Sequence, residues 1–258
     1  MHGVPADAVA KSLGLTTPEL KAFEQSGTPP RTLDFVPVAP LLKLSAPRLE
    51  NLLRGWHPPA VDLTLWRELR QLTSHRDGLS VHCYLVWDEV TREAALFDTG
   101  LEPDLVLNAI TENDLTLRQI FVTHSHFDHI DGLEVIRARH PRAHLHTSAA
   151  SALPQHRNKP NDFLQLGSLR ITNRETPGHA EDGATYIVGN FPEDAARVAL
   201  VGDALFAGSI GGMGGGGDAA RAKIREQILS LPSDTLLCPG HGPLTTVAEE
   251  KEHNPFFG

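Results

Sequence analysis

Apolar positions between residues 8 and 30, AVAKSLGLTTPELKAFEQSGTPP, recur at helical spacing and are interrupted at Gly14, which predicts two short helices. Thr17 before Pro18 and Glu19 is the expected cap of the second, Leu20 and Phe23 share its apolar face, and Gly27, Pro29 and Pro30 end it. From Leu33 the pattern changes to short apolar runs alternating with polar or glycine-bearing corners. LDFVPVAPLL, SVHCYLVW and EAALFDTG read as strands, residues 103–118 as a helix with a loop after it, and LEVIRARHP as an amphipathic helix closed by proline. QIFVTH, AHLHTS, LRITNRETPGH, ATYIVG and RVALVGD are further β-rich runs, and several end on a His or Asp. The expected organisation is a helical extension over residues 1–32 and an α/β domain over residues 33–258, in which strands deliver polar residues at their tips.

Composition narrows the classes. The chain has 258 residues, 40% of them hydrophobic and 21% charged, which suits one sizeable core, and its apolar runs are far shorter than the roughly 18 residues a membrane span requires. MHGVPADAVAKSLGL has neither a basic start followed by a long apolar run nor a small-residue cleavage site, so a cytoplasmic location is the expectation. Cys83 and Cys238 each lie inside an apolar run and read as buried free thiols. A net charge of −9 opposes binding to a polyanion, so nucleic acid is not an expected partner. The N-terminal helix pair resembles the centre of a helix-turn-helix; a DNA-binding regulator with a metal site is therefore a remote alternative, with a plain helical cap the reading preferred.

The chemistry concentrates in THSHFDHIDG. His124, His126, Asp128 and His129 follow a strand end within six residues, and imidazoles with a nearby carboxylate are ligands for zinc, iron and similar divalent ions. Three remote segments supply further ligand types beside glycine: TPGH at His179, VGD at Asp203 and CPGHG at His241. The other histidines, His2, His57, His75, His82, His140, His144, His146 and His156, lack ligand neighbours and are expected to stay off any metal; His253 is notable only for its neighbours.

In this order the motifs resemble the metallo-β-lactamase superfamily, from about Ser80 to Gly258. The resemblance implies a four-layer αββα sandwich with metal at one edge. It places a first ion on His124, His126 and His179, a second on Asp128, His129 and His241, and Asp203 between them, with Asp98 of ALFDTG supporting the cluster from behind. It also implies about two Zn2+ per chain, with iron as the alternative, catalytic work for Asp128 and Asp203, and a metal-bound hydroxide as nucleophile, because coordination lowers the pKa of water to about 7.

Within that superfamily, GDALFAGSIGG and PGHGPLTTVAEEKEHNPFF resemble the glyoxalase II-like branch, which implies hydrolysis of a small-molecule thioester such as a hydroxyacylglutathione. Related proteins are persulfide dioxygenases, in which a single iron would use His124, His179 and Asp203. Where relatives continue GSIG with arginine, this chain has Gly211-Gly212-Met213 and a glycine run suited to a mobile or closely approached loop, so another acyl thiol or a lactone is an alternative substrate. A homo-oligomer is compatible with this reading.

Overall fold

A computed structural model describes residues 4–159, 162–192, 195–212 and 217–258. Residues 213–216, at the heart of the glycine run, lie outside the described residues. The chain begins with α1 (Ala6–Ser12), α2 (Thr17–Ser26), α3 (Ala39–Leu42) and α4 (Ala46–Leu53). A first sheet region follows, with β1 (Leu69–Arg76), β2 (Leu79–Trp87), β3 (Glu93–Phe97), α5 (Pro103–Glu112), β4 (Thr116–Phe121), α6 (Phe127–Ile130), α7 (Leu133–Arg139) and β5 (His144–His146). The second comprises β6 (Phe163–Leu166), β7 (Leu169–Glu175), β8 (Ala184–Gly189), β9 (Val198–Gly202), β10 (Leu205–Phe206), β11 (Ser209–Ile210), α8 (Gly217–Gln227), β12 (Leu236–Pro239), β13 (Thr245–Thr246) and α9 (Val247–His253).

One sheet has the order β1-β2-β3-β4-β5 and the other β13-β12-β9-β8-β7-β6, with β10 and β11 forming a separate hairpin. Tyr84, Phe97, Phe121, Tyr186 and Leu200 fill the space between the sheets. Leu85, Leu96 and Ile120 turn outward to Val106, Ile110 and Ile136 of α5 and α7. On the opposite side Ile187, Ala199 and Leu237 meet Ile224 and Val247 of α8 and α9. These three apolar layers make the αββα sandwich, and they explain why β2 and β9 read as nearly unbroken apolar runs: both of their faces are covered. The pairs β3–β4 and β9–β12 are parallel, so their C-terminal ends emerge at one edge of the sandwich.

Three local expectations change. LDFVPVAPLL is no strand: Pro37 and Pro40 remove ladder donors, and the segment folds as turns leading into α3. Leu33, Phe35 and Val38 instead join Ala10, Leu15 and Leu20 in a small core of their own, which draws on residues either side of the 32/33 boundary. The helix from residue 103 ends at Glu112, and β4 already begins at Thr116, within the stretch read as helix and loop. The second helix is capped by Thr16 rather than Thr17, through a reciprocal capping box with Glu19, and it ends at Gly27 in the left-handed region at φ 68°. The edge strands β1 and β6 were not marked by the pattern, because edge strands bury fewer of their side chains.

The N-terminal unit is tied to the far end of the chain. Arg48 donates to the carbonyls of Asn254 at 2.9 Å and Lys251 at 2.8 Å, and the Ser45 amide donates to Pro255 O at 3.0 Å. Beside this seam the fully buried Glu250 accepts from Gly208 N at 3.0 Å, Thr245 Oγ1 at 2.8 Å and Asn254 Nδ2 at 2.8 Å, which anchors the β10–β11 hairpin to α9. Burial raises the Glu250 pKa despite these donors. Glu250→Ala is therefore expected to cost about 3 kcal/mol or more, since three buried donors lose their acceptor. Glu250→Gln is expected to keep most of the stability and to flatten its decline as pH rises above 4.5, the range in which only the unfolded wild-type carboxyl has ionised. Thermal unfolding of the three proteins against pH checks both outcomes.

Candidate metal centre

The strand ends build the centre. Asp98 follows β3 directly, and its backbone is left-handed at φ 59°, an uncommon conformation for a residue other than glycine. Its carboxylate turns back into the sandwich and accepts from Thr123 N, Thr123 Oγ1 and His129 Nδ1, each at 2.7 Å. β4 leads into His124 and His126; α6 then carries Asp128 and His129, both buried. Asp203 follows β9 directly, while His241 stands in the turn after β12 and His179 in the turn between β7 and β8.

Every residue expected to hold metal is brought to this one edge. His124 Nε2 lies 3.0 Å from His126 Nδ1, which lies 2.9 Å from His179 Nε2. His241 Nε2 lies 3.3 Å from Asp128 Oδ2, and His129 Nε2 lies 3.7 Å from the same oxygen. Asp203 faces both groups: its Oδ1 is 3.3 Å from His129 Nε2, and its Oδ2 is 3.4 Å from both His179 Nε2 and His241 Nε2. His124, His126 and His179 form one donor set within 4.8 Å, Asp128, His129 and His241 a second, and His124, His129 and Asp203 a third that overlaps both.

These residues fit a divalent cation. One imidazole nitrogen facing two others at about 3 Å cannot be satisfied by a single proton, whereas zinc at about 2.0–2.1 Å from each would set donors about 3.3 Å apart. His129 Nε2 and Asp203 Oδ1 are buried with no hydrogen-bond partner in the protein, an expensive arrangement unless something else neutralises them. The opposite ring nitrogens are held in turn. Thr123 Oγ1 gives its proton to Asp98 and so accepts from His124 Nδ1 at 3.1 Å; His179 Nδ1 donates to Gly212 O at 3.0 Å, and His241 Nδ1 to Ser80 O. With His129 Nδ1 on Asp98, four rings thus keep Nε2 free as a ligand atom.

Charge in the cluster is strongly coupled. Burial, then the neighbouring His129, lowers the His124 pKa to about 4. Burial also opposes charging of His129, but the Asp98 and Asp203 carboxylates outweigh it and raise that pKa to about 10. Asp203 is held well below the ordinary carboxylate range: burial works against ionisation, and the close positive charge of His129 and His241 overcomes it. The Asp203 carboxylate, 3.4 Å away, raises His241 in the same way.

Two glycines make the approach feasible. A Cβ on Gly240 would stand 2.3 Å from Asp203 Oδ1 and 2.5 Å from His129 Cε1, and one on Gly211 would stand 2.0 Å from Asp203 O and 2.9 Å from His179 Cβ. Gly211 and Gly212 therefore belong to the wall of the centre, the latter through its carbonyl. Thr123 and Ser80 were not given a role from the sequence, and for Ser80 no signal exists, because a backbone carbonyl is common to every residue; the glycine run was read as a closely approached loop, and Gly211 and Gly212 do lie against His179. His146 stacks on Phe121 at 4.6 Å and pairs with Gln119, and His253 packs against Trp56 at 4.8 Å; neither belongs to a donor set among the described residues.

An αββα sandwich with His/Asp donor sets at the C-terminal ends of its strands defines a metallohydrolase class. The chain belongs to the metallo-beta-lactamase superfamily, whose family model matches residues 76–241. It is 32% identical over 198 residues to "Probable metallo-hydrolase YqgX" of Bacillus subtilis (strain 168), covering 67% of this chain and 90% of that protein. It is 29% identical over 201 residues to the hydroxyacylglutathione hydrolase GloC of Haemophilus influenzae, covering 68% and 92%. Among solved structures, ETHE1 from Myxococcus xanthus superposes with a TM-score of 0.63 at 33% identity, covering 72% of this chain and 83% of that one. No helix among the described residues is long and apolar enough to cross a membrane.

Proposed function

We propose that this protein is a two-metal thioesterase acting on a hydroxyacylglutathione or a closely related acyl thiol. The observation that carries the reading is the second donor set, Asp128, His129 and His241, joined to the first by Asp203. His124, His126 and His179 would hold one ion and the second set another, with zinc as the native metal. Ions held there supply a water of lowered pKa, about 7, and polarise a carbonyl oxygen. Asp203 and Asp128 concentrate negative charge where the cations belong. Asp98 fixes the His129 ring, and the carbonyls of Ser80 and Gly212 fix those of His241 and His179. Phe127, 62% exposed between His126 and Asp128, and Phe206, whose ring lies 5.9 Å from His241, offer apolar contact for a substrate beside the donors. The net charge of −9 supports a small-molecule substrate over a polyanion, and a cytoplasmic setting goes with it.

An iron-dependent persulfide dioxygenase would need only His124, His179 and Asp203 and would leave His126, Asp128, His129 and His241 without a ligand role. The test sets S-lactoylglutathione, glutathione persulfide with an oxygen electrode, and an acyl-homoserine lactone side by side, using zinc-loaded and iron-loaded protein. Thioester cleavage by the zinc form, abolished by chelator and restored by zinc, is the expected result. Oxygen uptake by the iron form without thioester cleavage would overturn it, and lactone cleavage alone would replace the substrate class.

A further inference from the structure

We infer that His82 is a positioning residue that brackets His241 and sets its place in the second donor set; the metal readout of this inference rests on the two-metal reading above. β12 stops at Pro239, and its register against β9 shifts between Cys238 and Pro239, so the turn that carries His241 leaves the ladder. Its carbonyls need other donors. They come from β2, in the opposite sheet. The His82 amide donates to Gly240 O at 2.8 Å, and His82 Nε2 donates to Gly242 O at 2.9 Å, so one residue holds the carbonyls on both sides of His241.

The ring is oriented in turn. Gly242 O can only accept, which requires the proton on Nε2; Nδ1 is then an acceptor and takes the Thr73 hydroxyl proton at 2.9 Å. His82 is buried, and two residues further along the strand Tyr84 donates to Pro239 O at 2.6 Å. Ser80, two residues before, receives the His241 ring itself. Alternate residues of β2 therefore grip successive parts of the Pro239–Gly242 segment across the gap between the sheets.

Coordination bonds tolerate displacement of only a few tenths of an ångström, and loss of a group that orients a ligand costs about 10–100-fold in metal affinity. His82→Leu removes the side-chain grip on Gly242 and the contact with Thr73, although the amide bond to Gly240 persists. His82→Gln can still extend an amide N–H towards Gly242 O, and Thr73→Val removes only the group that orients the ring.

Metal titration of the full chain with zinc, and with cobalt followed by its visible absorption, is compared across wild type and the three variants. A second readout is the 15N spectrum of the His241 ring in metal-free protein. His82→Leu is expected to keep the first ion and bind the second about 10–100-fold more weakly, with His82→Gln recovering most of the loss and Thr73→Val falling between. The His241 ring is expected to show an Nδ1–H protected on Ser80 O in wild type and to lose that protection in His82→Leu. Circular dichroism identifies a variant that fails to fold; should His82→Leu do so, the other two carry the test. Second-ion affinity and His241 Nδ1–H protection unchanged in the folded variants would overturn the inference. A wild-type chain that takes one ion would instead overturn the two-metal reading, and the ring spectrum would then decide the role of His82 alone.

Discussion

Under the two-metal thioesterase proposal, Asp203→Asn is expected to lower thioester hydrolysis by roughly three orders of magnitude, and to reduce metal content from about two ions per chain towards one, because several kcal/mol of charge stabilisation depend on it. Asp203 is the carboxylate that reaches both outer donor pairs: Oδ1 lies 3.3 Å from His129 Nε2, and Oδ2 lies 3.4 Å from His179 Nε2 and His241 Nε2. Asparagine keeps the size and one oxygen but removes the charge, so two cations brought together there would repel each other with less to screen them. It also directs an amide N–H at one side of the centre, where a lone pair is needed. Elemental analysis with steady-state kinetics at saturating zinc measures both effects. Two ions and wild-type turnover in the variant would remove Asp203 from its bridging role.

Asp98→Ala is expected to act through stability as well as through metal. The carboxylate is 3% exposed and is the shared acceptor for Thr123 N, Thr123 Oγ1 and His129 Nδ1. Its removal strands three buried donors, for a cost of about 3–5 kcal/mol and a fall in Tm on the order of 10 °C. Alanine is also less at ease than aspartate at φ 59°. Metal affinity is expected to drop about 10–100-fold, since the His129 ring loses its orienting partner.

The pH dependence in chelated protein follows from His129. Its folded pKa, raised from 6.5 to about 10, contributes stability that is complete below pH 6.5 and lost as pH rises through about 10. Asp98→Ala forfeits the largest attraction behind that rise. Its deficit relative to wild type is therefore expected to be greatest below pH 6.5 and to shrink towards pH 10. Thermal melts of both proteins with chelator across that range check the slope. Equal slopes would show that Asp98 does not set the charge of His129.

Where strands end was legible because the pattern of each run is local: AALF and VALVG are apolar stretches that halt at an aspartate, and IFV halts at Thr123 just before His124. The donor residues were legible for the same reason, since imidazole and carboxylate are side-chain chemistry and each stood beside a glycine or a strand terminus. Pro37 and Pro40 also carried their message, yet LDFVPVAPLL still has the composition of a strand. What decided against it was the small core formed with Ala10, Leu15 and Leu20, a long-range choice. β1 hid for a related reason: as an edge strand it needs little apolar surface, and it exists because β2 offers it a ladder.

By itself, then, the sequence determined the chemistry available: which ligand types are present, in what order, and that strand tips carry them. Side-chain identity and local periodicity are enough for that. Only the tertiary structure decided how those ligands are aimed. The acceptors that leave Nε2 of His179 and His241 free are the carbonyls of Gly212 and Ser80, and His241 itself is bracketed by His82, which is distant in sequence and lies in the opposite sheet. Backbone carbonyls look alike in any sequence, so their selection depends on how the two sheets close on each other.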